Sequence, residues 1–128
     1  MPTKENITVK VSIVIPVYNV EKNLRNCLNC LIDQTLREIE IICIDDASTD
    51  NSGAILQEYE KLDPRITVIC HKTNLSASIA RKEGALAANG EYTLFLDPDD
   101  TLEKAATEIL YRTATEKNNQ SGCYGKTS

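Results

Sequence analysis

ITVICHKTNLSASIARKEGALAANGEYTLFLDPDD, residues 66–100, reads as strand, helix and strand, and it closes on three carboxylates. Ile66–Cys70 is short, apolar and β-branched, as a buried strand is. Leu75, Ile79 and Leu86, with alanines around them, keep helical spacing up to the stop signal Asn89-Gly90. Tyr92–Leu96 is the next apolar run. Asp97, Asp99 and Asp100 crowd its mouth. Like charges this close are easiest to tolerate with a cation between them. Hard oxygen ligands suit Mg²⁺ or Mn²⁺, ions that commonly bridge protein carboxylates to substrate phosphates.

The pattern repeats toward the N-terminus. Val9–Ile15 is a strand bounded by Pro16, and Val20, Leu24, Cys27, Leu28 and Leu31 follow at helical spacing. Ile39–Ile44 is the next strand. The run Ser48-Thr49-Asp50-Asn51 is rich in capping residues, and Ile55, Tyr59 and Leu62 mark the helix it opens. Toward the C-terminus, Leu102, Ala106, Ile109, Leu110 and Thr113 mark a fourth helix. Strict alternation of strand and helix predicts an α/β fold, a mainly parallel four-stranded sheet with helices on both faces. The expected organisation is an N-terminal tail over 1–8, a single domain over 9–117 and a loose polar tail over 118–128.

A net charge of −5 and a pI near 4.9 argue against nucleic acid as a partner. An acidic protein that takes a phosphorylated ligand needs a local positive charge, which sharpens the case for a cation at the aspartates. The polar start, Met-Pro-Thr-Lys-Glu-Asn, lacks a signal-peptide core, and no run approaches the length of a membrane span. The expected location is the cytoplasm, with a membrane role through a lipid-borne substrate left open. Cys27 and Cys30 form a C-x-x-C pair in mid-helix, with Cys27 on the apolar stripe, so both are read as structural. Cys43 and Cys70 sit in strand-like runs as small core residues. His71 is the sole histidine, so no nucleophile–histidine dyad is expected unless His71 itself serves.

In open parallel sheets, ligands bind beyond the carboxyl ends of the strands. Four segments lie there: Pro16–Asn19, Asp45–Ser48, His71–Asn74 and Asp97–Asp100. The chain has neither G-x-G-x-x-G nor G-x-x-x-x-G-K-[ST], so a glycine cradle for phosphates is missing and a cation has to replace it. Asp97 and Asp99, two apart in an extended segment stiffened by Pro98, can approach one ligand cluster. The alternative is that Asp99 and Asp100 only favour the next helix's N-terminus. Asp45 and Asp46 either cap the second helix or accept a hydrogen bond from the imide N–H of a base. Tyr18 is read as a stacking platform or a half-buried loop aromatic. Arg81, two positions from Ile79, is placed off the core face as a base or phosphate contact, or as a plain surface arginine.

Four ordered stretches resemble the family 2 glycosyltransferases of the GT-A fold: Val11–Asn19, Glu40–Ser52, Asn74–Gly84 and Gly90–Asp100. The resemblance implies a Rossmann-like half-domain and an inverting transfer of a sugar from a nucleotide donor. A UDP-sugar is the expected donor, and a cell-surface or exported glycan, or a lipid-linked acceptor, the expected product side. By resemblance Pro16 and Tyr18 line the nucleoside pocket, and Asp46, with Asp45, contacts the base. Arg81 lies by the base or diphosphate. Asp97 and Asp99 match the family's D-x-D, Asp99 for Mg²⁺ or Mn²⁺ and Asp97 for ribose or metal. The third stretch departs from the family, with Ser76 where glycine is usual and Lys82 where asparagine follows the arginine. The acceptor-binding half and its general base are expected beyond Ser128, in which case an unpaired sheet edge favours self-association. The competing readings are a non-catalytic nucleotide-binding module or pseudoenzyme, a receiver domain and a D-x-D phosphatase. The last two place their aspartates after other strands.

Overall fold

A computed structural model describes residues 8–121; the expected tails fall mostly outside these residues, at 1–7 and 122–128. Four strands and four helices alternate: β1 (Val11–Val17), α1 (Glu21–Ile32), β2 (Ile39–Asp45), α2 (Ser52–Leu62), β3 (Ile66–Cys70), α3 (Ala77–Ala87), β4 (Tyr92–Phe95) and α4 (Ala106–Ser121). All pairings are parallel, in the order β3-β2-β1-β4. The chain therefore builds outward from β1 to β3, then crosses back through α3 to lay β4 on the far side of β1. That reversal is a topological switch point, where the connections on either side of β1 part and leave a crevice.

β1 runs two residues further than the apolar pattern suggests, straight through Pro16, which pairs with Ile44. Strand alternation explains why a proline is tolerated here. Val14 faces β4, since its carbonyl accepts Leu96 N–H at 3.0 Å, so Pro16 faces the same side. By Pro16 the pairing with β4 has ended at Val14–Phe95, so no ladder donor is lost.

The sheet's two faces are unequal. One carries the large core: Ile13, Ile15 and Val17 of β1 and Ile41 and Cys43 of β2 pack with Leu24, Cys27, Leu28 and Leu31 of α1 and Leu56 of α2. Tyr111 of α4 joins from its edge. The other carries a small cluster of Val14, Ile42, Ile44 and Ala80, covered by α3. The α1 stripe is the one its spacing predicts.

α3 and α4 are turned from the faces that their large apolar residues suggest. α3 buries Ala80 and Gly84, whereas Ile79 is 41% and Leu86 79% exposed. Proximity is the reason: a Cβ on Gly84 would lie 2.2 Å from Val14 Cγ1, so only the helix's small residues fit against β1. α4 begins at Ala106 and buries Thr107, leaving Ile109 and Leu110 exposed. Gln34, 1% exposed, decides that orientation. Its Oε1 accepts Thr107 N–H at 3.0 Å and Thr107 Oγ1 at 2.7 Å, while Nε2 donates to the carbonyls of Cys30 and Glu103. A satisfied buried polar network outweighs two exposed aliphatics. α4 also continues to Ser121, past Asn118 where the polar composition suggests a tail.

Candidate functional site

The loops after β1 and β2 cap each other. Asn19, at φ 50°, accepts Thr49 N–H at 2.7 Å and Asp50 N–H at 3.2 Å on its Oδ1, and its own N–H donates to Ser48 Oγ. Val20 N–H donates to Ser52 Oγ and Glu21 N–H to Asp50 Oδ2, so side chains at the mouth of α2 satisfy the first N–H groups around α1. The capping run thus serves α1 as much as its own helix, whose N-cap Asn51 makes no side-chain cap bond. These bonds fix the floor from which Tyr18 projects, 48% exposed. Pro16 is buried in β1, one pleat beyond Val14 on the face that α3 covers.

Asp45 and Asp46 end β2, both buried. Asp45 Oδ1 accepts Ser48 N–H at 3.0 Å, closing the turn in which Ala47 takes φ 65°. Asp46 is 2% exposed and carries the loop between β3 and α3. Its Oδ1 accepts Leu75 N–H at 2.7 Å, its Oδ2 accepts Ser76 N–H at 2.9 Å, and His71 Nδ1 lies 2.8 Å from Oδ1. Burial pushes the Asp46 carboxyl up, but the bonds from His71, Leu75 and Ser76 outweigh it and hold the pKa below the ordinary value. One lone pair of Oδ2 remains for a further donor. Ser76 has φ 101° and ψ 154°, a region nearly restricted to glycine. The departure from the family's glycine pattern is therefore a strained residue, held by Asp46.

At the mouth of β4, Asp97 Oδ1 accepts Asp99 N–H at 3.0 Å and the Asp97 carbonyl accepts Asp100 N–H at 2.9 Å. This local turn sets the direction of the segment. Asp99 Oδ1 accepts Asn23 Nδ2 at 3.0 Å, which ties it to the first turn of α1. Each carboxylate keeps one oxygen, Oδ2, with no donor among the described residues, and both side chains are exposed. Among the described residues Asp100 makes no side-chain hydrogen bond to α4, which starts six residues later. Arg81 is exposed on α3 with no ion pair among the described residues.

The switch point places the loop that carries Tyr18, after β1, and the segment that carries Asp97 and Asp99, after β4, at the carboxyl ends of neighbouring strands, and the Asn23–Asp99 bond joins the second to the start of α1. Asp45 and Asp46 lie one strand further and are largely spent on loop structure. Sequence reasoning missed three residues. Asn23 is a polar residue one turn into an amphipathic helix, with nothing local to mark it. Gln34 shows only as a polar residue after an apolar stripe. His71 is placed on the right edge by its position after β3, but its partners are distant in the chain. The C-x-x-C pair is structural, as its mid-helix position suggests. Burial pushes the Cys27 thiol up to about 12, and Cys30 Sγ accepts Leu102 N–H at 3.2 Å, pinning the segment after the aspartates.

The family model for glycosyl transferase family 2 matches residues 12–125. The chain belongs to that family. Among family 2 relatives, glycosyltransferase GlyA of Streptococcus pneumoniae is 42% identical over 107 residues, covering 84% of this chain and 15% of that protein. The poly(ribitol-phosphate) beta-glucosyltransferase of Bacillus spizizenii is 42% identical over 116 residues, covering 88% and 18%. The chain thus spans less than a fifth of the length of these two relatives. Among solved structures, Staphylococcus aureus TarS 1–349 in complex with UDP superposes with a TM-score of 0.78 at 31% identity, covering 84% of this chain and 32% of that one. A mannosyltransferase of Pyrobaculum calidifontis superposes with a TM-score of 0.74 at 18% identity, covering 89% and 33%, which speaks for the fold alone. The four-stranded parallel sheet is accordingly the GT-A arrangement of family 2. Among the described residues no helix is long and apolar enough to cross a membrane.

Proposed function

We propose that this chain binds the nucleoside-diphosphate end of a sugar donor, with a divalent cation, as part of an inverting glycosyltransferase. The observation that carries the reading is the pair of exposed carboxylates after β4, each with an oxygen free of donors among the described residues, with Asp99 tied through Asn23 to the first turn of α1. TarS, the 31%-identical structural neighbour, has been crystallised with UDP and with UDP-GlcNAc, which favours a uridine nucleotide as donor.

The aspartates fit a cation of the Mg²⁺ or Mn²⁺ type. Among the described residues no three His, Cys, Asp or Glu side chains are grouped to hold a metal by themselves. Two carboxylates with water and diphosphate oxygens completing the shell is how such ions are commonly held beside phosphates. Asp99, fixed by Asn23, would take the ion through Oδ2, and Asp97 the ion or a ribose hydroxyl. The ion would offset charge on the leaving diphosphate. Tyr18 would stack on the base, Pro16 would shape the pocket wall behind it, Asp45 would hold the Ala47 turn at the base, and the free Oδ2 lone pair of Asp46 would accept the imide N–H. Arg81 would lie near the base or diphosphate. A cell-surface or exported glycan, or a lipid-linked one, is the acceptor class we assign. The location we assign is the cytoplasm, at the inner face of the membrane.

Calorimetric titration with UDP, GDP and dTDP, each with and without Mn²⁺, tests the reading. Mn²⁺-dependent binding with UDP preferred is expected. No metal-dependent binding of any of the three by a folded protein would falsify it.

A further inference from the structure

One buried side chain, His71, has no part in this donor-binding reading although it touches Asp46, which has one. His71 follows β3, and its N–H donates to the Asp45 carbonyl at 2.9 Å, continuing the ladder. Its ring is a bridge: Nδ1 lies 2.8 Å from Asp46 Oδ1 and Nε2 lies 3.0 Å from Glu83 Oε2. The His71 side chain is 7% exposed and that of Asp46 3%, while Glu83, on α3, is open to solvent on one side at 38%. A carboxylate only accepts hydrogen bonds, and a neutral imidazole has one donor and one acceptor. A neutral ring can therefore satisfy only one of these partners and must turn a lone pair on the other. The imidazolium donates to both.

We propose that His71 is the positioning residue of the nucleoside subsite, its doubly donating imidazolium fixing Asp46 and the strap of residues 72–76, so that nucleotide binding weakens when the ring loses its proton. The inference rests on the donor-binding reading above. Asp46 is the hinge of the argument, since the same carboxylate holds Leu75 and the strained Ser76 and carries the lone pair offered to the base. A proton leaving His71 leaves the ring a single donor, so it gives up its bond to Asp46 or to Glu83 and holds the carboxylate less firmly. Deprotonation also removes a positive charge from an edge of the sheet lined with aspartates, where an anionic diphosphate is to sit. The charged groups acting on the ring are Asp46 from the end of β2 and Glu83 from α3, both negative. The Asp46 bond, then the Glu83 bond, raise the ring's pKa above its ordinary value, against the opposing effect of burial.

The sole histidine makes the test clean. Untagged, ¹⁵N-labelled protein is titrated from about pH 5 to about pH 9, around the ordinary imidazole value of about 6.5, with both ring nitrogens followed by NMR. UDP affinity with Mg²⁺ is measured by calorimetry over the same range. Both nitrogens should be of imidazolium type below a midpoint higher than the ordinary value, and affinity should fall about tenfold or more through that midpoint. Glu83→Gln keeps an acceptor for Nε2–H but removes its charge, and it should move the NMR midpoint and the affinity step down together. A merely structural histidine would leave affinity flat through its own titration, and that result overturns the inference alone. A midpoint at or below the ordinary value, or an affinity step that stays put in Glu83→Gln, also overturns it. Loss of UDP binding at every pH, with the raised midpoint intact, overturns the donor-binding reading and the role of His71 within it.

Discussion

Single residues at the carboxyl edge of the sheet are held in conformations that the chain would not choose locally, and Ser76 shows this most plainly. Its φ of 101° lies where a side chain costs on the order of 1–3 kcal/mol. Its hydroxyl contributes little in return, accepting Ile79 N–H at 3.5 Å. Glycine would relieve the strain and lose about 0.5–1 kcal/mol in chain entropy. Ser76→Gly should therefore stabilise the fold by about 1 kcal/mol, read as a higher urea midpoint at unchanged slope; a lower midpoint contradicts the strain. The His71–Asp46 pair gives stability a window in pH. His71 has a raised pKa, so its contribution is complete below the unfolded value of about 6.5 and is lost as pH rises through the folded value. Asp46 has a lowered pKa, so its contribution is complete above the unfolded carboxylate value and is lost as pH falls through the folded one. Urea midpoints measured across pH should decline on both sides, and His71→Asn should lose the alkaline decline and weaken the acid one, since His71 also helps to hold the Asp46 pKa down. An alkaline decline that persists in His71→Asn removes this cause.

Secondary-structure elements were legible in the residues to different depths. The four strands and α1 follow from apolar runs and a clear stripe, because burial on the thick side of the sheet rewards large side chains. The orientations of α3 and α4 were not legible, because in both a close approach or a buried polar network replaces hydrophobic bulk. Ala80 and Gly84 look weak beside Ile79 and Leu86, yet only the small pair fits over Val14. Gly84→Ala would ordinarily gain about 1 kcal/mol of helix propensity. Here the overpacking against Val14 should prevail, with a net loss of about 1–3 kcal/mol. Val14→Ala in the same chain should recover part of it, as a coupling energy in a double-mutant cycle. Additive losses would mean that the two residues do not touch. The site was legible as an address, since strand–helix alternation puts every carboxyl-end loop on one edge. Its internal wiring was not, because Asn23 to Asp99 and His71 to Asp46 join residues 76 and 25 positions apart.

At the scale of the whole molecule, the order β3-β2-β1-β4 decides which carboxyl-end loops are neighbours. It sets β4 beside β1, so the segment with Asp97 and Asp99 follows the strand next to the one that leads to Tyr18. This chain covers less than a fifth of the length of two of its relatives. If Asp99 carries the cation, Asp99→Asn should lower Mn²⁺-dependent UDP affinity by about tenfold or more while leaving thermal stability nearly unchanged, since the residue is exposed. Equal affinity in the variant would move the ion elsewhere. The most direct test of the account is paramagnetic broadening by Mn²⁺ in amide NMR spectra with UDP present. Broadening should centre on Asp97 and Asp99 and reach Asn23, with UDP shifting Tyr18 and the 45–48 turn when Mg²⁺ replaces Mn²⁺. Broadening centred anywhere else on the sheet, or no response at this edge, would contradict it.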